Sequence, residues 1–115
     1  IFDCFHYFDY SLMKSENNGK QMKDFWEFDV EPEIFESSTT SKKEKQYGKH
    51  PTQKPIALLE RLILAATKEG DTVLDPFSGS STTGIVAHRL GRNYIGIENM
   101  LEYLQLSKRR FNGDE

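Results

Sequence analysis

A chain of 115 residues can form one small domain or a piece of a larger one, and with 37% apolar and 29% charged residues it reads as folded rather than wholly disordered. The longest apolar run, residues 62–66, is far too short to cross a bilayer, no secretory leader is visible, and a lone Cys4 excludes an internal disulfide, fitting a small buried thiol in a reduced compartment. The formal net charge of −3 hides an asymmetry: residues 1–40 carry nine acidic and three basic side chains, and residues 41–115 nine acidic and twelve basic.

Residues 1–10 mix Phe2, Phe5, Tyr7, Phe8 and Tyr10 with Asp3, His6 and Asp9, and read as a strand or buried aromatic segment in need of a partner surface. The chain opens on Ile1 instead of Met, which suggests that something precedes it. Residues 14–20 are turn chemistry, because Asn17, Asn18 and Gly19 tolerate positive φ. Phe25, Trp26 and Phe28 then form a cluster expected to pack back on the core rather than to stack on a base. Residues 37–48 are rich in Ser, Thr and Lys with almost no apolar side chains, which predicts an exposed mobile loop, and the main boundary is placed there, between 1–48 and 49–115.

From Pro55, a residue suited to a first helical position, Ile56, Leu59, Ile63 and Ala66 recur at helical spacing, with Leu58 and Leu62 widening the stripe and Gly70 expected to stop it. Residues 72–74 predict a short buried strand that runs through Asp75 and Pro76 into Phe77, Ser78, Gly79, Ser80 and Ser81. Residues 82–90 predict a second helix closed by Gly91, and residues 94–97 a second strand. Asn99 with Glu102 three residues on has the form of a capping box for a third helix, which carries Leu101, Leu104 and Phe111 and closes among Lys108, Arg109 and Arg110. Helix, strand, helix, strand, helix makes an α/β unit with two parallel neighbouring strands.

Ligands of open parallel sheets bind at the carboxyl ends of the strands, and both ends here carry suitable groups. Asp75 and a Gly-Ser turn follow the first strand and Glu98 the second, close to the spacing of about 20 residues between a nucleotide-binding turn and the acidic residue on a ribose. A carboxylate can accept from both ribose hydroxyls, Gly79 lets the backbone approach a ligand, the amides opening the next helix can receive an anionic group, and Phe77 offers an apolar face to adenine. Residue chemistry therefore predicts an adenosine-containing ligand without choosing among NAD, ATP and S-adenosylmethionine. The full dinucleotide glycine pattern and the phosphate-loop Gly-Lys-Ser/Thr ending are both absent, which weighs against the first two. His6 and His88 have no visible metal partners, so no metal site is expected.

The run Lys49-His50-Pro51-Thr52-Gln53-Lys54-Pro55, the segment from Val73 to Gly84 (VLDPFSGSSTTG) and the segment from Gly91 to Glu98 (GRNYIGIE) resemble, in that order, the C-terminal block of the N4/N6 amino-group DNA methyltransferases of the β motif order. The likeness covers residues 49–111 and implies part of a Rossmann-like fold dependent on S-adenosylmethionine. Carried over position by position, it implies that His50, Thr52 and Lys54 wrap the methionine end of that cofactor. Asp75, Pro76, Phe77, Gly79, Ser80 and Thr82 would line its cleft, and Glu98, with Asn99 beside it, would hold the ribose. Once DNA is implied, Lys42, Lys43, Lys45 and Lys49 become candidate phosphate contacts. Ser81 stands where the family usually has Gly, which reduces backbone freedom there.

The family's Asp/Asn/Ser-Pro-Pro-Tyr/Phe motif, which grips the target amino group, is missing, the four prolines being Pro32, Pro51, Pro55 and Pro76. No catalytic residue is therefore assigned in this chain, and alone it is expected to bind cofactor weakly or not at all and to transfer nothing. The resemblance implies a site-specific enzyme of a bacterial restriction-modification system that methylates adenine N6 in double-stranded DNA, with cytosine N4 or a non-catalytic binding module as alternatives. A catalytic half in the same or another polypeptide is implied as partner. A cytoplasmic, nucleoid-associated location and no membrane partner are expected, and a homodimer is one arrangement the family allows.

Overall fold

The structure is a computed structural model that describes residues 7–26 and 54–113. In chain order the elements are α1 (Tyr10–Ser15), α2 (Ile56–Ala66), β1 (Thr72–Asp75), α3 (Thr82–Arg89), β2 (Asn93–Gly96) and α4 (Leu101–Gly113). The expected α/β order from Pro55 onward is present, with the strand ends shifted by a residue and the ends of α2 and α4 by more, at Ala66 and Gly113.

β1 and β2 pair in parallel, with Val73 opposite Tyr94 and Leu74 opposite Ile95. The period of two divides these residues between faces. Val73 and Tyr94 pack with Ile63 of α2 and Val86 and Ala87 of α3 into the core, joined by Ile56, Leu59 and Leu90. On the opposite face Leu74 is 61% and Ile95 55% exposed. Two parallel strands with one bare apolar face are not a self-sufficient sheet, because parallel sheets are normally covered on both sides.

The amino-terminal end of the sheet is fastened by Arg92. Its guanidinium donates to the Thr67 hydroxyl (2.9 Å), the Thr67 carbonyl (2.8 Å) and the Leu90 carbonyl (2.7 Å), tying the end of α2 to the end of α3. α2 ends at Ala66, four residues before Gly70, because Thr67 turns extended and its hydroxyl donates back to the Ile63 carbonyl. Gly70 instead takes a positive φ of 87° in the turn that enters β1.

Residues 7–10 are not a strand. Asp9 accepts the Leu12 amide at 2.9 Å as the N-cap of α1, a six-residue helix absent from the sequence expectation. The Asp9 amide donates to the Ala65 carbonyl, and Met13 is buried, while Tyr7, Phe8 and Tyr10 face solvent. The turn after α1 does use positive φ at Asn18 and Gly19. Trp26 lies partly buried beneath the Arg61 guanidinium, 5.2 Å from its ring centroid, and Arg61 also meets Glu16 at 3.6 Å. Phe25, expected to pack inward, is exposed. Phe28, His6, Cys4 and the 37–48 loop lie outside the described residues.

Candidate cofactor site at the strand ends

β1 delivers Asp75 to the carboxyl end of the sheet, where its carboxylate accepts the Phe77 amide at 3.0 Å and so bends the chain outward. Pro76, at the corner, is exposed, and Phe77 presents its ring to solvent at 88% exposure. A large apolar ring left this open at the mouth of a parallel sheet is suited to lie against a flat ligand. The Ser78 amide then returns to the sheet by donating to the Ile97 carbonyl at 2.9 Å.

The two strand ends meet through Glu98. One carboxylate oxygen accepts the Gly79 amide at 3.0 Å and the other accepts the Met100 amide at 2.9 Å. Expected at the ribose position, Glu98 therefore also ties the turn after β1 to the start of α4. The expected capping box on Asn99 is not formed. α4 opens at Leu101, and the amide of the preceding Met100 is taken by Glu98. Asn99 sits exposed in the bend next to Glu98.

Gly79 (φ 51°) and Ser81 (φ 57°) both adopt left-handed backbone, with the Ser81 amide donating to the Ser78 carbonyl at 2.7 Å. For serine that conformation costs about 1–2 kcal/mol. The position where the family carries glycine is thus one where the backbone calls for it.

Ser80 and Thr82, expected to face the cofactor, are buried, and their hydroxyls point away from solvent to Arg110. Any contribution they make to a ligand comes from their backbone. Arg110, read from sequence as a charge favouring the helix C-terminus, reaches back instead, and Ser107 one turn earlier donates to the Gly79 carbonyl at 3.0 Å. A Ser and an Arg at i and i+3, among apolar neighbours Leu106 and Phe111, was the available signal.

Tyr94 is a further residue that sequence reasoning missed. Its ring passes over Gly84 of α3 and its hydroxyl over Gly96 of β2, so that a methyl at Gly96 would stand 2.5 Å from that oxygen. Close approach of a neighbouring group is a standard reason for glycine inside a helix or strand. Burial raises the Tyr94 pKa above its ordinary value, the Ser81 hydroxyl pulls it partly back, the Asp75 carboxylate raises it further, and Ser78 again lowers it. Lys54 is exposed ahead of α2, while His50, Thr52, Lys42, Lys43, Lys45 and Lys49 lie outside the described residues. Among the described residues no cluster of side chains could hold a metal ion, and no helix is long and apolar enough to cross a membrane.

The family model described as DNA methylase, of N6/N4 methyltransferases, matches residues 5–109. The type II methyltransferase M2.LlaDCHI of Lactococcus lactis subsp. cremoris is 57% identical over 107 residues, 93% of this chain and 36% of that protein. M2.DpnII of Streptococcus pneumoniae is 56% identical over 109 residues, 95% of this chain and 37% of that protein. The crystal structure of the M1.HpyAVI-SAM complex superposes with a TM-score of 0.54 at 55% identity, covering 56% of this chain and 31% of that one. The cytosine-N4-specific PvuII DNA methyltransferase gives a TM-score of 0.54 at 39% identity, covering 60% of this chain and 26% of that one. The chain thus spans little more than a third of the length of these two curated relatives.

Proposed function

From the premise that this chain belongs to the N6/N4 DNA methylase family, we propose that it supplies the S-adenosylmethionine-binding part of a site-specific DNA methyltransferase that modifies the exocyclic amino group of adenine. The observation that carries this reading is the bridge from Glu98 to the Gly79 amide beside the exposed ring of Phe77, at the carboxyl ends of two parallel strands. Glu98 would accept from the ribose hydroxyls, and Phe77 would lie against the adenine ring. Asp75 would shape the corner between them. The 49–54 segment, with His50, Thr52 and Lys54, would close over the methionine end.

The cofactor, when bound, supplies an electrophilic methyl group on a sulfonium. The target nitrogen is conjugated with its base ring and a poor nucleophile, so a further set of groups must accept hydrogen bonds from its NH₂ and hold the flipped base in line. This chain holds no Pro-Pro pair that could supply them. Its own work in the reaction is to bind the cofactor, orient it and keep its place fixed relative to that second half, in the same polypeptide or another. The bare face of Leu74 and Ile95 supports the idea that more of the sheet's covering layer belongs over this side. The basic group Lys42, Lys43, Lys45 and Lys49 would meet phosphates of double-stranded DNA. A bacterial cytoplasmic enzyme acting at the nucleoid fits relatives from Lactococcus lactis and Streptococcus pneumoniae.

Adenine is proposed because it is the commoner target in the family. Similarity to the cytosine-N4-specific PvuII structure supports a second reading, in which the acceptor is cytosine N4. The test incubates the complete protein with isotopically labelled S-adenosylmethionine and unmethylated DNA, digests to nucleosides and identifies the labelled product by mass. Labelled N6-methyladenine is the expected result. Labelled N4-methylcytosine would establish the second reading, and no transfer to any unmodified DNA would refute both.

A further inference from the structure

Arg110 lies on α4, 30 residues after Ser80 and 1% exposed. Its Nη1 donates to the Ser80 carbonyl at 2.7 Å, the Ser80 hydroxyl at 3.0 Å and the Thr82 hydroxyl at 2.8 Å. Those acceptors stand on both sides of Ser81, the residue held in left-handed backbone. One turn earlier on the same helix face, the Ser107 hydroxyl takes the Gly79 carbonyl, while the Gly79 amide is taken from the other side by Glu98. The turn after β1 is therefore gripped at Gly79, Ser80 and Thr82 from behind, and at Gly79 also from the front. A non-glycine residue stays in a sparsely populated conformation only where its surroundings over-determine it, and α4 supplies that constraint.

We infer that Arg110, assisted by Ser107, is a positioning residue for the cofactor turn: it does not touch the ligand but fixes the shape of residues 79–82 against Glu98. The inference rests on the cofactor reading above. It also explains why the Ser80 and Thr82 hydroxyls face inward, since they are the anchor points. All three contacts come from Nη1 at the far end of the guanidinium, a point that the shorter, unforked lysine stem does not reach, so Arg110→Lys withdraws the donor from Ser80 and Thr82.

The test compares Arg110→Lys, Arg110→Met and the milder Ser107→Ala in the complete protein, measuring S-adenosylmethionine affinity by calorimetry, KM for DNA, and amide hydrogen exchange at residues 79–82. For Arg110→Lys, cofactor affinity should fall about tenfold, the scale of one charge-assisted hydrogen bond, with KM for DNA within about twofold of wild type. Adding Ser81→Gly should restore most of that affinity, because glycine takes the left-handed conformation unaided. A purely structural role predicts no such rescue. Unchanged cofactor affinity in Arg110→Lys and Ser107→Ala, or a loss that Ser81→Gly does not repair, would overturn the proposal. Exchange at 79–82 is read without any ligand, so faster exchange in Arg110→Lys would uphold the holding role even if the wild-type protein bound no S-adenosylmethionine and the cofactor reading failed. Exchange as slow as in wild type would defeat that role on its own.

Discussion

Replacing Gly84 by alanine sets two effects of opposite sign against each other. Gly84 lies within α3, and alanine is better than glycine in a helix interior by about 0.8–1.0 kcal/mol. The added methyl, however, would stand 2.8 Å from Cζ of Tyr94 and closer still to two other carbons of the ring. Carbon atoms pack at about 3.5–4.0 Å, so either the ring or α3 must move by nearly an ångström. The ring has little room to give, since it belongs to the core with Ile63, Val86 and Ala87, and its hydroxyl already crowds Gly96. Overpacking of this kind costs about 1–3 kcal/mol, and with overlaps at three ring atoms the upper half of that range applies, leaving a net loss of about 1–2 kcal/mol after the helix gain. Urea denaturation of the complete protein reads the difference as a fall in midpoint. In a Tyr94→Leu background the clash is gone, and Gly84→Ala should become neutral or mildly stabilising, so the double-mutant cycle isolates the ring contact. Gly84→Ala as stable as wild type, or equally destabilising with and without the Tyr94 ring, would refute the packing argument.

Glu98→Ala removes the acceptor shared by Gly79 and Met100, and should weaken S-adenosylmethionine binding in the complete enzyme by about 1–3 kcal/mol, with an unchanged dissociation constant by calorimetry removing Glu98 from the site. Phe77→Ala should leave thermal stability within about 0.5 kcal/mol of wild type, because the ring is in solvent, yet weaken the cofactor measurably; a large stability loss would place the ring in a core instead. Tyr94 gives a pH dependence. Its folded-state pKa is raised, so the folded state holds the phenolic proton more tightly than the unfolded chain, and this contribution is complete below about pH 10 and lost as pH climbs through the folded value. Thermal melts of wild type and Tyr94→Phe between neutral pH and pH 11 should therefore diverge at the alkaline end, the wild type falling more steeply, and parallel curves would contradict the shift.

Much of the site was readable because its parts are local. The strand-turn-helix from residue 72 onward follows from β-branched and aliphatic residues running into Asp75 and a Gly-Ser turn, and Glu98 falls at the neighbouring strand end by crossover alone. What sequence could not show is which way side chains turn when their partner is far along the chain. Ser80 and Thr82 look like ligand contacts until α4 brings Arg110 against them from 28 to 30 residues away. Asn99 and Glu102 have the spacing of a capping box, but Glu98 already occupies the amide that opens α4, and the helix starts later. The aromatic run at residues 7–10 resembles a strand in composition. An Asp9 cap and a single hydrogen bond to the end of α2 make it the entrance to a short helix, and neither is visible as periodicity.

The structure of the complete protein with S-adenosylmethionine bound is the most direct test of the central claim. In that structure the ribose hydroxyls should lie on the Glu98 carboxylate and the adenine ring against Phe77, with the Gly79 turn unchanged beneath them. Cofactor bound elsewhere in the molecule, with no contact to the Glu98 carboxylate, would contradict that placement.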